Sequence, residues 1–158
     1  KTDGENDGTF RYRKKPEPVT KKEIEFVEKW VKTDGKEFIK YENTVYAWPS
    51  DLIKDFSILL EQLKVIYSGI IVGELMRDKL VPDHALAMSN LTNSFITRAE
   101  LDHEQAIRFL QRKDLKIEMV KKGWQLFNYN NHPLGWANVL PGRINNYYPK
   151  ELRILKDN

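Results

Sequence analysis

Apolar residues at helical spacing, placed behind polar capping residues, predict four helices in this chain. Thr20 and Glu23 have the spacing of a capping box, and apolar residues then recur on one helical face. Asp102 and Gln105 repeat this pattern ahead of a second apolar face. Pro82 suits the first position of a short helix. The predicted helices are 20–32, 51–62, 82–89 and 102–112.

Ser50 is a suitable cap for the helix over 51–62, whose buried side is predicted to begin with Leu52. Alternating and β-branched stretches predict strands, with Glu42–Asn43 as the turn of a hairpin within 37–49. After residue 113 the pattern changes from helical to strand-like. The other predicted strands are 63–69, 70–75, 114–119, 123–129, 132–139 and a segment over 143–154 broken by Pro149.

Asn130–Asn131 and Pro141–Gly142 are predicted turns, since Asn and Gly tolerate positive φ. Along 123–129, strand alternation puts Trp124 on one face and Phe127 on the other, so we expect one face to be core. We assign the core to the tryptophans, Trp124 and Trp136, because indoles are good packing anchors. Any one of these aromatics could equally fill the interior of a small β unit.

The pattern divides the chain into three parts. Residues 1–17 are polar, with a short strand predicted at 10–15 that two prolines follow, and they indicate a tail and linker. Residues 18–110 mix helices and strands, and 111–158 are rich in strands. The fold class is therefore α+β, and we expect the last two parts to pack together.

Charge is distributed unevenly between these parts. Residues 1–110 carry 17 Lys and Arg against 19 Asp and Glu, a net of −2, while 111–158 carry 9 against 4, a net of +5. A solvated basic face is the ordinary meaning of such an excess. Here the cations are interleaved with aromatics, and rings that stack on bases beside cations that meet phosphates suit a nucleic-acid surface.

Several kinds of chemistry are excluded. The chain has no cysteine, which rules out disulfides, thiolate metal sites and cysteine nucleophiles. The three histidines have no metal-ligand spacing, and no phosphate loop, dinucleotide fingerprint or serine-nucleophile motif occurs. His84 beside Asp83 could form a catalytic dyad, but a structural or capping role is the alternative. We predict no catalytic, metal or cofactor-binding residue in this chain.

The order of residues near the end resembles one known module. Gly123-Trp124, then Pro-Leu-Gly-Trp at 133–136, then Asn-Tyr-Tyr-Pro-Lys at 146–150 resemble the PUA-like RNA-binding domain of bacterial Sun-family, RsmF-type RNA 5-methylcytosine methyltransferases. Gly-Glu-Leu at 73–75 and Pro-x-His-Ala-Leu-Ala at 82–87 resemble the segment that joins catalytic and PUA-like domains there. Residues 4–15 are similar, in altered form, to the last strand of that catalytic domain. The chain departs from the family pattern at Ala137, Tyr147 and Glu151.

The resemblance implies a small PUA-like β-barrel over 111–158 and an RNA-binding role. The family's chemistry needs two cysteines and an S-adenosylmethionine fold, so this chain would be the RNA-holding C-terminal region and not the enzyme. Its implied partners are ribosomal RNA and the upstream methyltransferase domain in cis, in a cytoplasmic, monomeric protein with no membrane association. S-adenosylmethionine is implied for the parent protein alone. The expected RNA-facing residues are Lys121, Lys122, His132, Arg143, Tyr147, Tyr148, Lys150 and Arg153.

Two other functions stay open from the sequence. The helices over 20–32 and 51–62 could dock a partner domain without RNA contact. For His132 alone, the alternative to RNA contact is a plain exposed turn residue. A small independent enzyme is a third class, for which the sequence offers no motif.

Overall fold

The computed structural model of the protein describes residues 16–52, 69–118 and 121–156. These residues form two sheets and three α-helices. The first sheet has the order β1-β2-β3-β4-β5 and the second the order β6-β7-β8-β9. The strands of the first sheet are β1 (Glu17–Pro18), β2 (Lys36–Tyr41), β3 (Thr44–Pro49), β4 (Ile70–Met76) and β5 (Lys79–Pro82). Those of the second are β6 (Arg98–Glu100), β7 (Gly123–Tyr129), β8 (His132–Leu140) and β9 (Arg143–Asn146). The helices are α1 (Lys21–Glu28), α2 (His84–Met88) and α3 (His103–Leu110).

The first sheet is antiparallel throughout, and its hairpin confirms the prediction for 37–49. Strands β2 and β3 pair in a register that sets Phe38 opposite Ala47, and Glu42 takes a positive φ of 54° in the turn between them. The predicted strand over 70–75 is confirmed by β4. Strand β5 was not predicted, because Pro82 was assigned to the following helix.

The capping boxes predicted for two helices are both present. The Thr20 hydroxyl accepts from the backbone N–H of Glu23, and Asp102 and Gln105 make the equivalent pair at α3. Helix α1 ends at Glu28, short of the predicted residue 32. Beyond it the chain turns, and Val31 forms an isolated β-bridge with Thr92.

The start of α2 differs from the prediction. Pro82 ends β5, and Asp83 is the N-cap, its carboxylate accepting from the backbone N–H of Ala85 at 2.8 Å. An Asp that can satisfy a free helix N–H is a better start than a Pro that a neighbouring strand already uses. Of the other predicted helix, 51–62, the described part belongs to a 3₁₀ turn at Ser50–Leu52. Leu52, expected on its buried side, is 50% exposed.

The remaining residues of that helix, the strand over 63–68 and the strand over 10–15 lie outside the described residues. The predicted strand over 114–119 is wrong for its described part, since 113–118 form no strand. Asp114 instead offers its backbone carbonyl to the Arg108 side chain, at 3.0 Å from Nε and 2.6 Å from Nη2.

The second sheet is built on the predicted β7–β8 hairpin, which is confirmed. Asn130 and Asn131 take positive φ values of 50° and 62° in its two-residue turn, as a tight hairpin requires. Strand β9 forms the first part of the segment predicted over 143–154, and a 3₁₀ turn at Lys150–Leu152 follows Pro149. Strand β6, which was not predicted, pairs with β7 in parallel.

The prediction that only one face of β7 belongs to the core is wrong. Leu126 packs in a cluster with residues of the first sheet and α1, while Phe127 packs with Phe109 of α3 in a second cluster, and all three are fully buried. The central hairpin of the second sheet is therefore covered on both sides. Trp136 is buried, as predicted, and Trp124 is half-buried at the margin of the first cluster.

The fold is thus mostly sheet with a few short helices. The two parts pack together, as expected, because the first cluster contains side chains from both sheets. The described strands of the second sheet run β6-β7-β8-β9 without closing on themselves, so the predicted barrel is not seen there. The division at residues 110 and 111 stays a prediction, although β6 and α3, which precede it, belong to the second sheet and its cluster.

Candidate nucleic-acid interface

Three of the predicted cations lie at one end of the second sheet. Arg143 pairs with Leu140, and Gly123 pairs with Val139, so Lys122 and Arg143 stand at the same level on either side of β8. Lys121 is next to them, and all three side chains are exposed. The ordinary strand spacing of about 4.8 Å sets β7 and β9 roughly 10 Å apart. This end of the sheet is a cationic corner of suitable size for a phosphate backbone.

Beside β9 lies an open groove of about 620 Å³. Three of its lining side chains are cationic, Arg112, Lys113 and Lys150, and one is acidic, Asp114. Its wall is completed by Ile144, Asn145, Asn146, Tyr147, Tyr148 and Pro149. The groove therefore unites three of the predicted RNA-facing residues, Tyr147, Tyr148 and Lys150, with two cations that the sequence reasoning missed.

The missed cations, Arg112 and Lys113, follow the end of α3. Arg112 has a positive φ of 57°, and its guanidinium donates from Nη1 to the backbone carbonyl of Tyr148. The sequence prediction placed Arg112 in the helix over 102–112 and assigned neither cation to the RNA face. Cations near a helix C-terminus also have a structural explanation in the helix dipole. Only the contact between α3 and the segment after β9 places them at the groove.

Tyr147 is an aromatic residue in the lining of the groove. Its side chain is 38% exposed, its backbone N–H donates to the carbonyl of Trp136 at 3.0 Å, and its ring centroid is 4.4 Å from that of Trp124. The Tyr147 ring therefore packs against Trp124, and part of Tyr147 is exposed to solvent.

Tyr148 has a different environment. Its ring lies 5.3 Å from the ring of His84 and 5.9 Å from that of Phe109, measured between centroids. Its hydroxyl donates to the carbonyl of Leu152 at 3.4 Å. The ring is packed in the second cluster, so Tyr148 serves the groove as a structural wall.

His132 and Arg153 do not line this groove. His132 is exposed beside the β7–β8 turn, where its Nδ1 donates to the carbonyl of Asn130 at 2.8 Å. It is eight positions from Leu140 along β8, or roughly 25 Å from the cationic corner. Arg153 is exposed after the 3₁₀ turn, on a segment held to α3 through the bond from the Ile154 N–H to the Leu110 carbonyl at 3.1 Å. The predicted set is therefore divided among several places.

The environment of His84 favours its structural reading over a catalytic dyad. Asp83 uses its carboxylate to cap α2. Burial lowers the pKa of His84, against the opposing influence of the Asp83 and Glu151 charges. Its Nδ1 is buried without a hydrogen-bond partner among the described residues.

The described residues hold no group of three or more His, Asp or Glu side chains that could bind a metal ion. Nor does this part of the chain include a helix with the length and apolar character needed to cross a bilayer.

Comparison with known families gives two matches. Residues 97–154 match the family model described as the methyltransferase RsmF PUA domain. Residues 22–89 match the model described as the RsmF rRNA methyltransferase first C-terminal domain. A search of the curated proteins gives no match to the chain. The first match covers the second sheet, α3 and the groove. The other covers strands β2 to β5 of the first sheet, α1 from its second residue, and α2.

Proposed function

This chain is a C-terminal region of an RsmF-type methyltransferase, and from that premise we propose that it binds ribosomal RNA and positions it for a methyltransferase domain of the parent protein. The observation that carries the proposal is the grouping of exposed cations and an exposed aromatic ring on the second sheet. Cations supply affinity for the phosphate backbone, and aromatic rings supply stacking surface for bases.

The proposed RNA face has two parts. The cationic corner of Lys121, Lys122 and Arg143 meets phosphates, and the groove with Tyr147 and Lys150 lies farther along β9. Arg112 and Lys113 join the groove in this proposal. Three predicted residues are left out of the proposed RNA face. His132 lies at the far turn, Tyr148 packs against the second cluster, and Arg153 does not line the groove.

We assign S-adenosylmethionine and methyl transfer to another domain of the parent protein. The family resemblance implies two catalytic cysteines, and this chain has none. An enzyme that acts on a base inside folded RNA must extrude it, which costs a few kcal/mol. A separate grip on the flanking RNA is physically useful for that step.

The proposed RNA-binding unit begins near residue 97, where β6 and α3 join the second sheet, and the part over 18–96 connects it to the catalytic domain in cis. A monomeric, cytoplasmic protein is part of the same proposal. The cations of the proposed RNA face are exposed in a single copy of the chain, so RNA could reach them without a second copy.

The salt dependence of RNA binding tests the proposed function. If about four phosphates are neutralised, the logarithm of the binding constant should fall with the logarithm of salt concentration at a slope near −3. Replacing both Arg143 and Lys150 by Ala should reduce that slope to about −1.5, because two phosphate contacts are lost. Fluorescence anisotropy with a labelled ribosomal RNA fragment measures both values.

A matched control removes two exposed cations from the first part of the chain, Lys32 and Lys79. The Lys32→Ala, Lys79→Ala variant has the same net charge as the test variant but should keep the wild-type slope. Equal slopes for the two double variants would show that binding follows net charge alone. Absence of measurable binding at low salt would refute the proposed function.

The structure counts against the alternative of a partner-docking helix over 20–32. Val27 of α1 is fully buried in the first cluster, and Ile24 and Phe26 pack against it. The apolar face of α1 is therefore already used inside the chain.

A further inference from the structure

We infer that the groove beside β9 binds a single unpaired nucleotide of RNA, with its base on Tyr147 and its phosphate between Arg112 and Lys150. This inference rests on the proposed function and adds the class of RNA element that the site accepts. The two parts of the RNA face then have different roles. The groove would select unpaired RNA, and the cationic corner would hold any phosphate backbone.

The size of the groove suits one nucleotide. Small-ligand sites enclose about 300–1,000 Å³, and this groove of about 620 Å³ falls inside that range. Its walls come from the residues after α3 on one side and from β9 and the segment after it on the other. In this proposal the open groove takes one nucleotide, and contact with Tyr147 distinguishes that nucleotide from a paired one.

Tyr147 provides the selection against paired RNA. Tyr147 lines the groove and is 38% exposed, while the contact of its ring with Trp124, at 4.4 Å between centroids, supports it from within the protein. A base inside a duplex has both faces covered by its neighbours, so only an unstacked base can lie on an aromatic side chain. Stacking of this kind is tolerant of base identity.

Charge and amide groups complete the nucleotide site. Arg112 and Lys150 line the groove, and Asp114 is the one acidic side chain in its lining. The Arg112 guanidinium donates to the Tyr148 carbonyl through one of its five N–H groups, which fixes its position without neutralising its charge. Asn145 lines the same groove and carries an amide that can both donate to and accept from a base edge.

The backbone under the groove is held in place before any ligand arrives. Asn146 donates from Nδ2 to the Phe109 carbonyl at 2.7 Å and accepts from the Tyr148 N–H at 2.8 Å. The Tyr147 N–H donates to the Trp136 carbonyl at 3.0 Å. A site fixed in this way loses little conformational freedom on binding, which favours affinity.

The test compares two RNA hairpins of equal length, one fully paired and one with a single bulged 2-aminopurine. The inference predicts that the whole chain binds the bulged hairpin about ten-fold more tightly and quenches the 2-aminopurine fluorescence on binding. Tyr147→Ala should abolish both the preference and the quenching. Tyr147→Phe, which retains the ring, should keep them.

Phe95→Ala is the matched control, because Phe95 is 70% exposed and does not line the groove. It should leave the preference unchanged. Far-ultraviolet circular dichroism of each variant verifies the fold, and the comparison of hairpins on the wild-type chain needs no variant at all.

Equal affinity of the wild-type chain for both hairpins, without quenching, would overturn the inference while leaving the proposed function standing. A preference that survives in Tyr147→Ala would also overturn it. Failure of the chain to bind either hairpin would overturn the inference and the proposed function together.

Discussion

At the scale of single residues, His84 is a side chain whose charge state the fold controls. It lies on α2 against the second sheet, with its ring edge-on to that of Tyr148. Its Nδ1 is only 3.4 Å from the position that a Cβ on Gly135 would take. Burial lowers its pKa, against the opposing charges of Asp83 and Glu151.

We therefore expect stability to depend on the protonation of His84. The folded pKa is below the ordinary value of about 6.5, so the unfolded chain takes up this proton first as the pH falls. The contribution of His84 is fully present above about pH 6.5 and is lost as the pH falls through the folded pKa. Urea unfolding at pH 7.5, 6.5 and 5.5 measures this loss, and His84→Gln should reduce it.

His132→Gln serves as the control, because it removes an exposed histidine at the β7–β8 turn. Identical profiles for wild type and His84→Gln would show that another group sets the pH dependence.

Gly73 allows a second residue-scale prediction. A Cβ at this position would lie 2.2 Å from the carbonyl oxygen of Val81 and 2.6 Å from Leu80 Cδ2, so β4 and β5 could not keep their spacing. Gly73→Ala should lower the free energy of unfolding by about 1–3 kcal/mol, as overpacking does. Thermal and urea unfolding measure it.

Gly142→Asn is the comparison, since a Cβ at Gly142 meets nothing within 4 Å and Asn tolerates its positive φ of 78°. It should change stability by no more than about 0.5 kcal/mol. Equal effects of the two substitutions would contradict the packing account of Gly73.

The role of a residue could be predicted where pairing with one neighbouring strand determines it. Trp136 was assigned to the core and is 1% exposed. The role of Phe127 was not predictable, because alternation within β7 cannot show that α3 covers its second face. The same limit applies to Tyr148, whose packing depends on α2 and α3.

At the scale of elements, α1 is fixed to the first sheet through Glu23. Its carboxylate accepts from the Thr20 backbone N–H and hydroxyl, each at 2.8 Å, and from Lys40 Nζ of β2 at 2.6 Å. Burial alone would raise the pKa of Glu23, but the hydrogen bonds from Lys40 and Thr20 lower it. One side chain thus caps the helix and connects it to a strand.

Glu23→Gln should therefore destabilise the chain by about 1–2 kcal/mol at pH 7, through the weaker cap and the lost ionic hydrogen bond. The loss should shrink as the pH falls from about 4.5 through the folded pKa, because the wild-type carboxylate is then protonated as well. Glu25→Gln, on the exposed side of α1, is the control. An equal effect of both substitutions at pH 7 would contradict this account.

The capped starts of two helices and the two hairpins were predicted well, because their signals lie within a few consecutive residues. The strands β5 and β6 were missed for opposite reasons. Strand β5 ends in a proline that also fits a helix start, and β6 is three residues long and finds its parallel partner about 28 positions later in sequence, Arg98 opposite Leu126. Pairings of that kind leave little local pattern.

At the scale of the whole molecule, the two sheets share the first cluster. Trp136 of β8 packs edge-on against Trp30, and its Nε1 donates to the carbonyl of Asp83 at 2.8 Å. Because this tryptophan contacts elements from both parts of the chain, we expect them to unfold together. Near- and far-ultraviolet circular dichroism should give the same urea midpoint.

Trp136→Phe should lower that common midpoint, with a loss of about 2 kcal/mol from the missing hydrogen bond and reduced volume. Two separate transitions, only one of which responds to Trp136→Phe, would show that the sheets fold independently.

At this scale, only part of the candidate site could be predicted from the sequence. The family was predicted from motifs between residues 123 and 150 and is confirmed, while the location of the RNA face stays a prediction. The groove was not predicted, because Arg112 reaches it only through the packing of α3 against the segment after β9. Which of several cations form one surface depends on such long-range contacts.

Ultraviolet cross-linking of the chain to a ribosomal RNA fragment, followed by mass spectrometry of the linked peptides, tests whether RNA binds at the second sheet and the groove beside it. The account predicts cross-links in peptides that contain 112–114 and 143–150, and their loss at high salt. Cross-links confined to 16–52 and 69–89, with none on the second sheet, would contradict it.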